Sequence, residues 1–304
     1  MRTVSNSAAA TIESGRGHAW LLAARPRTLP AAVAPILVGS ALAFDAGALH
    51  PPSLLAALAV ALLLQVAANL ANDAFDHARG ADAAGRLGPL RVTQAGLLTY
   101  RQVLAGVVLA TGLAVVAGSY LVYRGGWPMA LLGGAAILAM LAYSGGPLPL
   151  GYHGLGEIAV FLFFGLLGVA GTFYVQAGTL PADALVMSAP VGALIVAILV
   201  VNNLRDIETD ARAGKRTLAV RLGARASVIE FAALVVGAYL LLLIYGLSTG
   251  GALSWALPWL SLPLALRLVR AIASERGVLL NHRLAQTAQL ALIFSLLLAV
   301  AVAL

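Results

Sequence analysis

Six of the chain's 12 carboxylates lie in two short stretches of otherwise apolar sequence. The first is NLANDAFD, from Asn69 to Asp76, continuing to Asp82; the second is NNLRDIETD, from Asn202 to Asp210, with Asp206 and Glu208 inside it. Asn69, Asn72, Asp73 and Asp76 follow one another at steps of three and four, so on a helix they share a face and their oxygens converge. Asn202 or Asn203, Asp206 and Asp210 repeat the pattern. Carboxylates beside a bilayer are costly and mark function. Two on one helix face suit Mg²⁺, which takes oxygen ligands and keeps waters and substrate phosphates in its shell. One such cluster reads equally well as a solvated helix end; the same order occurring twice favours metal.

Positive charge follows each cluster, at Arg79 and Arg91 after the first and at Arg212, Lys215 and Arg216 after the second. Acids for a metal together with Lys and Arg for phosphate oxygens are what a diphosphate site requires. Any one of these Arg residues alone reads as a topology determinant. Gln65 and Asn69, four apart on the same helix, either contact a ligand or cross-link helices. Tyr143 and Tyr174 either shelter a cation with their rings or anchor the chain at the membrane interface.

The elements that must position these groups are membrane helices. A chain of 304 residues that is 61% hydrophobic and 10% charged, with mean hydropathy +0.94, is a polytopic membrane protein. Nine apolar segments are expected near 28–45, 53–78, 101–121, 128–145, 157–177, 184–206, 226–246, 253–271 and 284–303. They form a single all-α domain over 1–304, which includes a polar N-terminal tail at 1–18 that has the marks of no cleaved signal peptide. Gly165, Gly168 and Gly171 in the fifth segment hint at a lateral gap. With nine crossings, 18 of the 19 Lys and Arg fall on one side and only Arg124 on the other. The N-terminus and both acidic clusters are therefore placed in the cytoplasm and the C-terminus outside. The charge of +7 then reads as topology and contact with anionic membrane lipids. Nucleic acid is not an expected partner, because no soluble basic surface with interleaved aromatics is present. The absence of cysteine excludes disulfides, thiolate metal sites and a cysteine nucleophile.

NDAFDHARGAD and NNLRDIETDARAGKRTLAVRLG resemble the two aspartate-rich motifs of the UbiA superfamily of membrane prenyltransferases. ARPRTLPAAVAPILVG from Ala24, GPLRVTQAGLLT from Gly88, GPLPLGYHGLGEIAVFLFFG from Gly146 and GTFYVQAG from Gly171 are similar to its naphthoate branch, which serves menaquinone biosynthesis. The first motif departs from the usual spacing at Gly80, and Asp82 substitutes two residues later; His153 stands where the family often has Arg or Lys. The resemblance implies a bundle of nine helices around a central cavity, capped on the cytoplasmic side by the motif loops, in a bacterial inner membrane. It implies that Asp73, Asp76, Asp206 and Asp210 bind Mg²⁺, with Asn72 and Asn203 completing the shell. Arg91, Lys215 and Arg216 would neutralise a polyprenyl diphosphate, and Arg25 and Arg27 would meet either the carboxylate of 1,4-dihydroxy-2-naphthoate or lipid headgroups. Asn69, Arg79, Asp82, Asn202, Tyr143, Tyr174 and Gln65 would line the substrates.

Two other functions are weighed against this one. A cation-coupled transporter uses intramembrane acids, but it places them near the midplane or at a broken helix, whereas these lie at helix ends beside phosphate-type bases. A relative acting on 4-hydroxybenzoate or homogentisate would carry the same metal motifs and differ in its acceptor pocket.

Overall fold

The computed structural model describes residues 15–80, 87–250 and 253–304, and no strand occurs among them. Asp82 lies outside the described residues, as do Arg86 and positions 1–14 of the polar tail. Among the described residues, eight helices are long and apolar enough to cross a bilayer, and a bent pair makes a ninth crossing if counted as one span.

The bent pair is where the expected first segment departs. Helix α1 (Arg16–Ala24) already occupies the end of the supposed tail and stops at Arg25, whose φ is 50°. Pro26 and Pro30 cannot donate backbone hydrogen bonds but suit the first turn of a helix. A 3₁₀ turn (Pro26–Thr28) and then α2 (Pro30–Asp45) therefore follow, with a bend of 50° between the two apolar pieces.

The later spans are α3 (Pro51–Ala78), α4 (Tyr100–Gly125), α5 (Trp127–Ser144), α6 (Gly156–Ala177) and α7 (Ala182–Arg205). Two short helices, α8 (Ile207–Arg212) and α9 (Leu218–Leu222), precede α10 (Ala224–Ser248), α11 (Leu253–Ser274) and α12 (Gly277–Ala303). All match expectation to within four residues except α12, which begins at Gly277 rather than 284, with a 3₁₀ turn (Gly277–Leu279) leading into the α-helix at Leu280. A capping box starts α4: Thr99 Oγ1 accepts from the Gln102 amide at 3.3 Å, and Gln102 Oε1 accepts from the Thr99 amide at 2.8 Å.

The span most enclosed by the others is α7. Its Leu194, Val200 and Leu204 pack with Val38 of α2, Phe231 of α10, Leu268 of α11 and Phe294 of α12 in the main core. A second cluster joins α1, α3 and α4 with Val92 and Leu98 of the loop before α4. The outer surfaces of α4 and α5 expose Val108, Leu109, Val116, Leu131 and Leu138, the apolar exterior of a multi-pass membrane protein.

The glycines of α6 are corrected from gap to contact. A Cβ on Gly165 would stand 2.6 Å from Gly192 Cα, and one on Gly168 would stand 2.9 Å from Pro35 Cβ. A Cβ on Gly171 would stand 3.4 Å from Leu132 Cδ2. At Gly165 and Gly192 the helices touch through backbone, as small residues permit, whereas Gly168 and Gly171 meet the side chains of Pro35 and Leu132; the Gly165 contact falls in a π-helical stretch (Phe161–Leu166). The packing thus brings the ends of α3, α5 and α7 and the loops after them to one end of the bundle. At the other end, Gln176 Oε1 accepts from the His50 amide at 3.2 Å.

Candidate functional site: two aspartate motifs joined by a lysine

Asp76, in the last turn of α3, is the hub. Its side chain is 3% exposed and receives three donors from three separate loops. Arg91 Nη2 donates to Oδ2 at 2.6 Å, Lys215 Nζ to Oδ2 at 3.0 Å and the Tyr152 hydroxyl to Oδ1 at 2.8 Å. Lys215 Nζ also lies 3.9 Å from Asp210 Oδ1. One ammonium therefore stands between the first aspartate motif and the second. The Tyr152 ring lies under both Lys215 Nζ, 4.8 Å from its centroid, and Arg79 Cζ, at 5.3 Å. Burial, and then the charge of Asp76, push the Tyr152 phenol above its ordinary pKa, so it remains a donor. Arg79 in turn donates to the Gly146 carbonyl, tying the loop after α5 to the end of α3.

The rest of the first motif does not converge on the same point. Asp73 accepts from the backbone N–H groups of Val92 and Thr93, at 3.0 and 3.1 Å, and so holds the turn that carries Arg91 round to Asp76. Asn72 Oδ1 accepts from Ser144 Oγ at 2.6 Å. Asn69 Nδ2 donates to the Ala24 carbonyl and to Thr28 Oγ1, each at 2.9 Å, and Gln65 Nε2 donates to Thr28 Oγ1 at 3.2 Å. Gln65 and Asn69 thus cross-link α3 to the break between α1 and α2, the alternative left open by their spacing. The helix face is shared as expected, but its side chains divide among three neighbours: the break at Thr28, Ser144 at the end of α5, and the loop carrying Arg91 to Thr93.

The second motif is wired to its own neighbour. Arg205 Nε and Nη2 grip Asp206 Oδ1 and Oδ2 at 2.9 and 2.5 Å. The same guanidinium donates to Asn202 Oδ1 at 2.9 Å and to Asn281 Oδ1 of α12 at 3.0 Å. Asn281 Nδ2 then donates to the Leu87 carbonyl at 2.7 Å, which fixes the loop of the first motif from the far side. Asn203 Nδ2 donates to Glu157 Oε1 at 2.8 Å. Arg216 has an exposed side chain, and it is its backbone N–H that is engaged, donating to the Tyr152 carbonyl at 2.9 Å.

Tyr143 lies against the site loops: a Cβ on Gly151 would stand 3.0 Å from its ring, and one on Gly156 would stand 3.1 Å from its hydroxyl. Tyr174 is set apart at the opposite end, where its hydroxyl donates to the Gly125 carbonyl at 3.2 Å. Arg25 and Arg27 flank the break before α2, Arg25 half-buried and Arg27 exposed. His153 keeps to its own turn, its Nδ1 lying 2.8 Å from the Pro149 carbonyl oxygen. Sequence reasoning passed over Tyr152, Glu157, Arg205 and Asn281. Tyr152 could have been noticed as the phenol in the loop between the fourth and fifth segments, Glu157 as the lone acid at the start of the fifth, and Arg205 as the base inside the second motif.

Among the described residues, no three carboxylates or histidines gather as a ready metal cage. The donors still suit Mg²⁺, which needs only one or two carboxylates when substrate phosphates and water complete its shell. Asp76 and Asp210 already share a cation in the form of Lys215, and a charge is accommodated between them.

The sequence pattern described as the UbiA prenyltransferase family matches residues 32–278. The chain is 38% identical over 289 residues to the 1,4-dihydroxy-2-naphthoate octaprenyltransferase of Escherichia coli (strain K12), covering 93% of this chain and 94% of that one. It is 40% identical over 263 residues to the protein of the same description from Mycobacterium tuberculosis, covering 85% and 87%. Among solved structures, a UbiA homolog from Archaeoglobus fulgidus bound to DMAPP and Mg²⁺ superposes with a TM-score of 0.63 at 14% identity, covering 92% of this chain and 98% of that one. The last likeness is one of fold.

Proposed function

The chain belongs to the UbiA prenyltransferase family, and from that premise we propose that it moves a polyprenyl group from polyprenyl diphosphate to 1,4-dihydroxy-2-naphthoate, with loss of the ring carboxylate. The observation that carries the reaction type is Lys215, shared between Asp76 and Asp210 of the two motifs. The acceptor rests on the relatives of that description.

Asp76 and Asp210 are the proposed metal-holding carboxylates, with Asp73 and Asp206 at their flanks. Asn72 and Asn203, expected to complete the shell, engage Ser144 and Glu157 instead. The chemistry Mg²⁺ would supply when bound is neutralisation of pyrophosphate as it departs. Arg91 and Lys215, now turned to Asp76, are positioned to donate to phosphate oxygens, with Arg79 beside them over Tyr152. Their hold strengthens as negative charge develops on the leaving group, which is where binding accelerates a reaction. The allylic C–O bond breaks with its electron pair going to pyrophosphate. The electron-rich ring gives a π pair to the prenyl carbon, and the pair of the ring C–CO₂ bond returns to the ring as CO₂ leaves, so no redox cofactor is needed. The Tyr143 and Tyr152 rings offer faces to the developing cation. The apolar exterior meets membrane lipids, and the site end faces the cytoplasm of a bacterial inner membrane, with the C-terminus external, as the basic residues direct.

The test is purified protein in nanodiscs with a long-chain prenyl diphosphate, given dihydroxynaphthoate and 4-hydroxybenzoate in parallel, with Mg²⁺ and with excess chelator. Prenylated product from the naphthoate, absent with chelator, is expected. Turnover of 4-hydroxybenzoate in preference, or full activity in chelator, would overturn the assignment.

A further inference from the structure

Glu157, in the first turn of α6, is 7% exposed, and the roles given to the two motifs leave it unused. Its Oε1 accepts from Asn203, but its Oε2 is buried without a hydrogen-bond partner among the described residues. Buried polar oxygens in folded proteins are nearly always paired, and one left open costs the desolvation of the group. A carboxylate needed only to tie α6 to α7 through Asn203 would not require a second oxygen held away from both protein donors and solvent.

We propose that Glu157 Oε2 accepts a hydrogen bond from a ring hydroxyl of the aromatic acceptor and so fixes its orientation, an inference that rests on the prenyl-transfer reading above. Asn203 precedes Asp206 by three residues on α7, so its bond to Glu157 lies about 4.5 Å further along the helix into the bundle. The acceptor must sit on that inner side of the departing pyrophosphate to meet the allylic carbon. Tyr143 of α5 lines this wall beside Gly156. Gly156 leaves room at this wall, since even a methyl group there would come within 3.1 Å of the Tyr143 hydroxyl. The carboxylate also acts by repulsion. It attracts the acceptor's O–H and turns away the acceptor's own carboxylate, so that one ring orientation is selected against its reverse.

The experiment is a cycle between residue and substrate group. Dissociation constants are measured without prenyl diphosphate for 1,4-dihydroxy-2-naphthoate, 1-hydroxy-2-naphthoate and 4-hydroxy-2-naphthoate, on the full-length wild type and on Glu157→Gln. In the wild type, loss of one of the two hydroxyls weakens binding roughly 10- to 100-fold, as for a hydrogen bond to a charged group; in Glu157→Gln the same loss costs no more than about threefold. A KM for prenyl diphosphate within about threefold of wild type shows that the variant is intact. If Glu157→Gln does not insert, Glu157→Asp takes its place, with the hydroxyl's effect expected to fall between the two. Equal hydroxyl losses in wild type and variant overturn the proposal and assign Oε2 to water. Failure of the wild type to prenylate dihydroxynaphthoate at all is a different outcome, and it removes the functional reading itself.

Discussion

The two aspartate motifs look alike in sequence and are held in different ways. In the first, Asp76 is met by Arg91, Tyr152 and Lys215, which arrive from three loops far apart in the chain. In the second, Asp206 is gripped by Arg205, the residue before it. A carboxylate neutralised by its neighbour is complete before the bundle closes, whereas one neutralised from three loops records that the bundle has closed. The difference assigns distinct work: the first motif assembles the site, and the second braces α7 against α12 through Asn281 while offering Asp210 to the shared lysine.

Breaking the hub has the largest expected effect. Asp76→Ala leaves Arg91 and Lys215 facing each other in a buried place, which costs about 3–5 kcal/mol of stability and at least about 1,000-fold in prenyl transfer. Thermal unfolding in detergent and product formation in nanodiscs measure the two. A variant with near-normal activity would show that the first motif is not the assembling one.

Cutting the link between motifs comes next. Lys215→Ala is expected to lower kcat/KM for prenyl diphosphate by about 100-fold, with kcat falling as well as KM rising, and to leave acceptor KM within a few fold. Steady-state kinetics with each substrate varied in turn decide it; unchanged diphosphate kinetics would take Lys215 out of the site.

The brace can be separated from the chemistry. Arg205→Ala strands a buried Asp206 and is expected to destabilise by about 3 kcal/mol. Arg205→Met combined with Asp206→Leu should recover most of that loss without recovering activity. A double variant as unstable as the single one would mean that the pair does more than satisfy itself. The smallest effect is expected from Tyr152→Phe, which removes one of three donors to Asp76 and keeps the ring under Lys215: about 1 kcal/mol, or roughly fivefold in kcat/KM. A larger loss would make the phenol a direct substrate contact.

The spans were legible because a bilayer demands long apolar runs and sequence displays those directly. The bend before α2 was less so, since Arg25 in a left-handed conformation between two helices leaves no compositional trace beyond the prolines after it. The motif aspartates could be found by type and spacing, but their partners could not. Asp73 is held by backbone N–H groups, which every residue but proline carries, so nothing in the letters singles out Val92 and Thr93. Tyr152 reaches Asp76 across 76 positions of sequence, a distance only the packing of α3, α5 and α6 collapses. Gly165 and Gly168 showed the opposite limit: smallness marked a place where something comes close, without saying whether lipid or another helix.

The bond from Asn281 to the Leu87 carbonyl also sets a schedule for biosynthesis. The loop bearing Arg91 leaves the ribosome long before α12 does, yet its anchor, and one partner of Arg205, lie on that later helix. While elongation continues, the loop lacks its clasp and the guanidinium lacks its amide, so the site reaches its working form only after α12 has been translated and inserted. A nascent chain stalled after α11 would hold both aspartate motifs in the membrane and still be an unfinished enzyme.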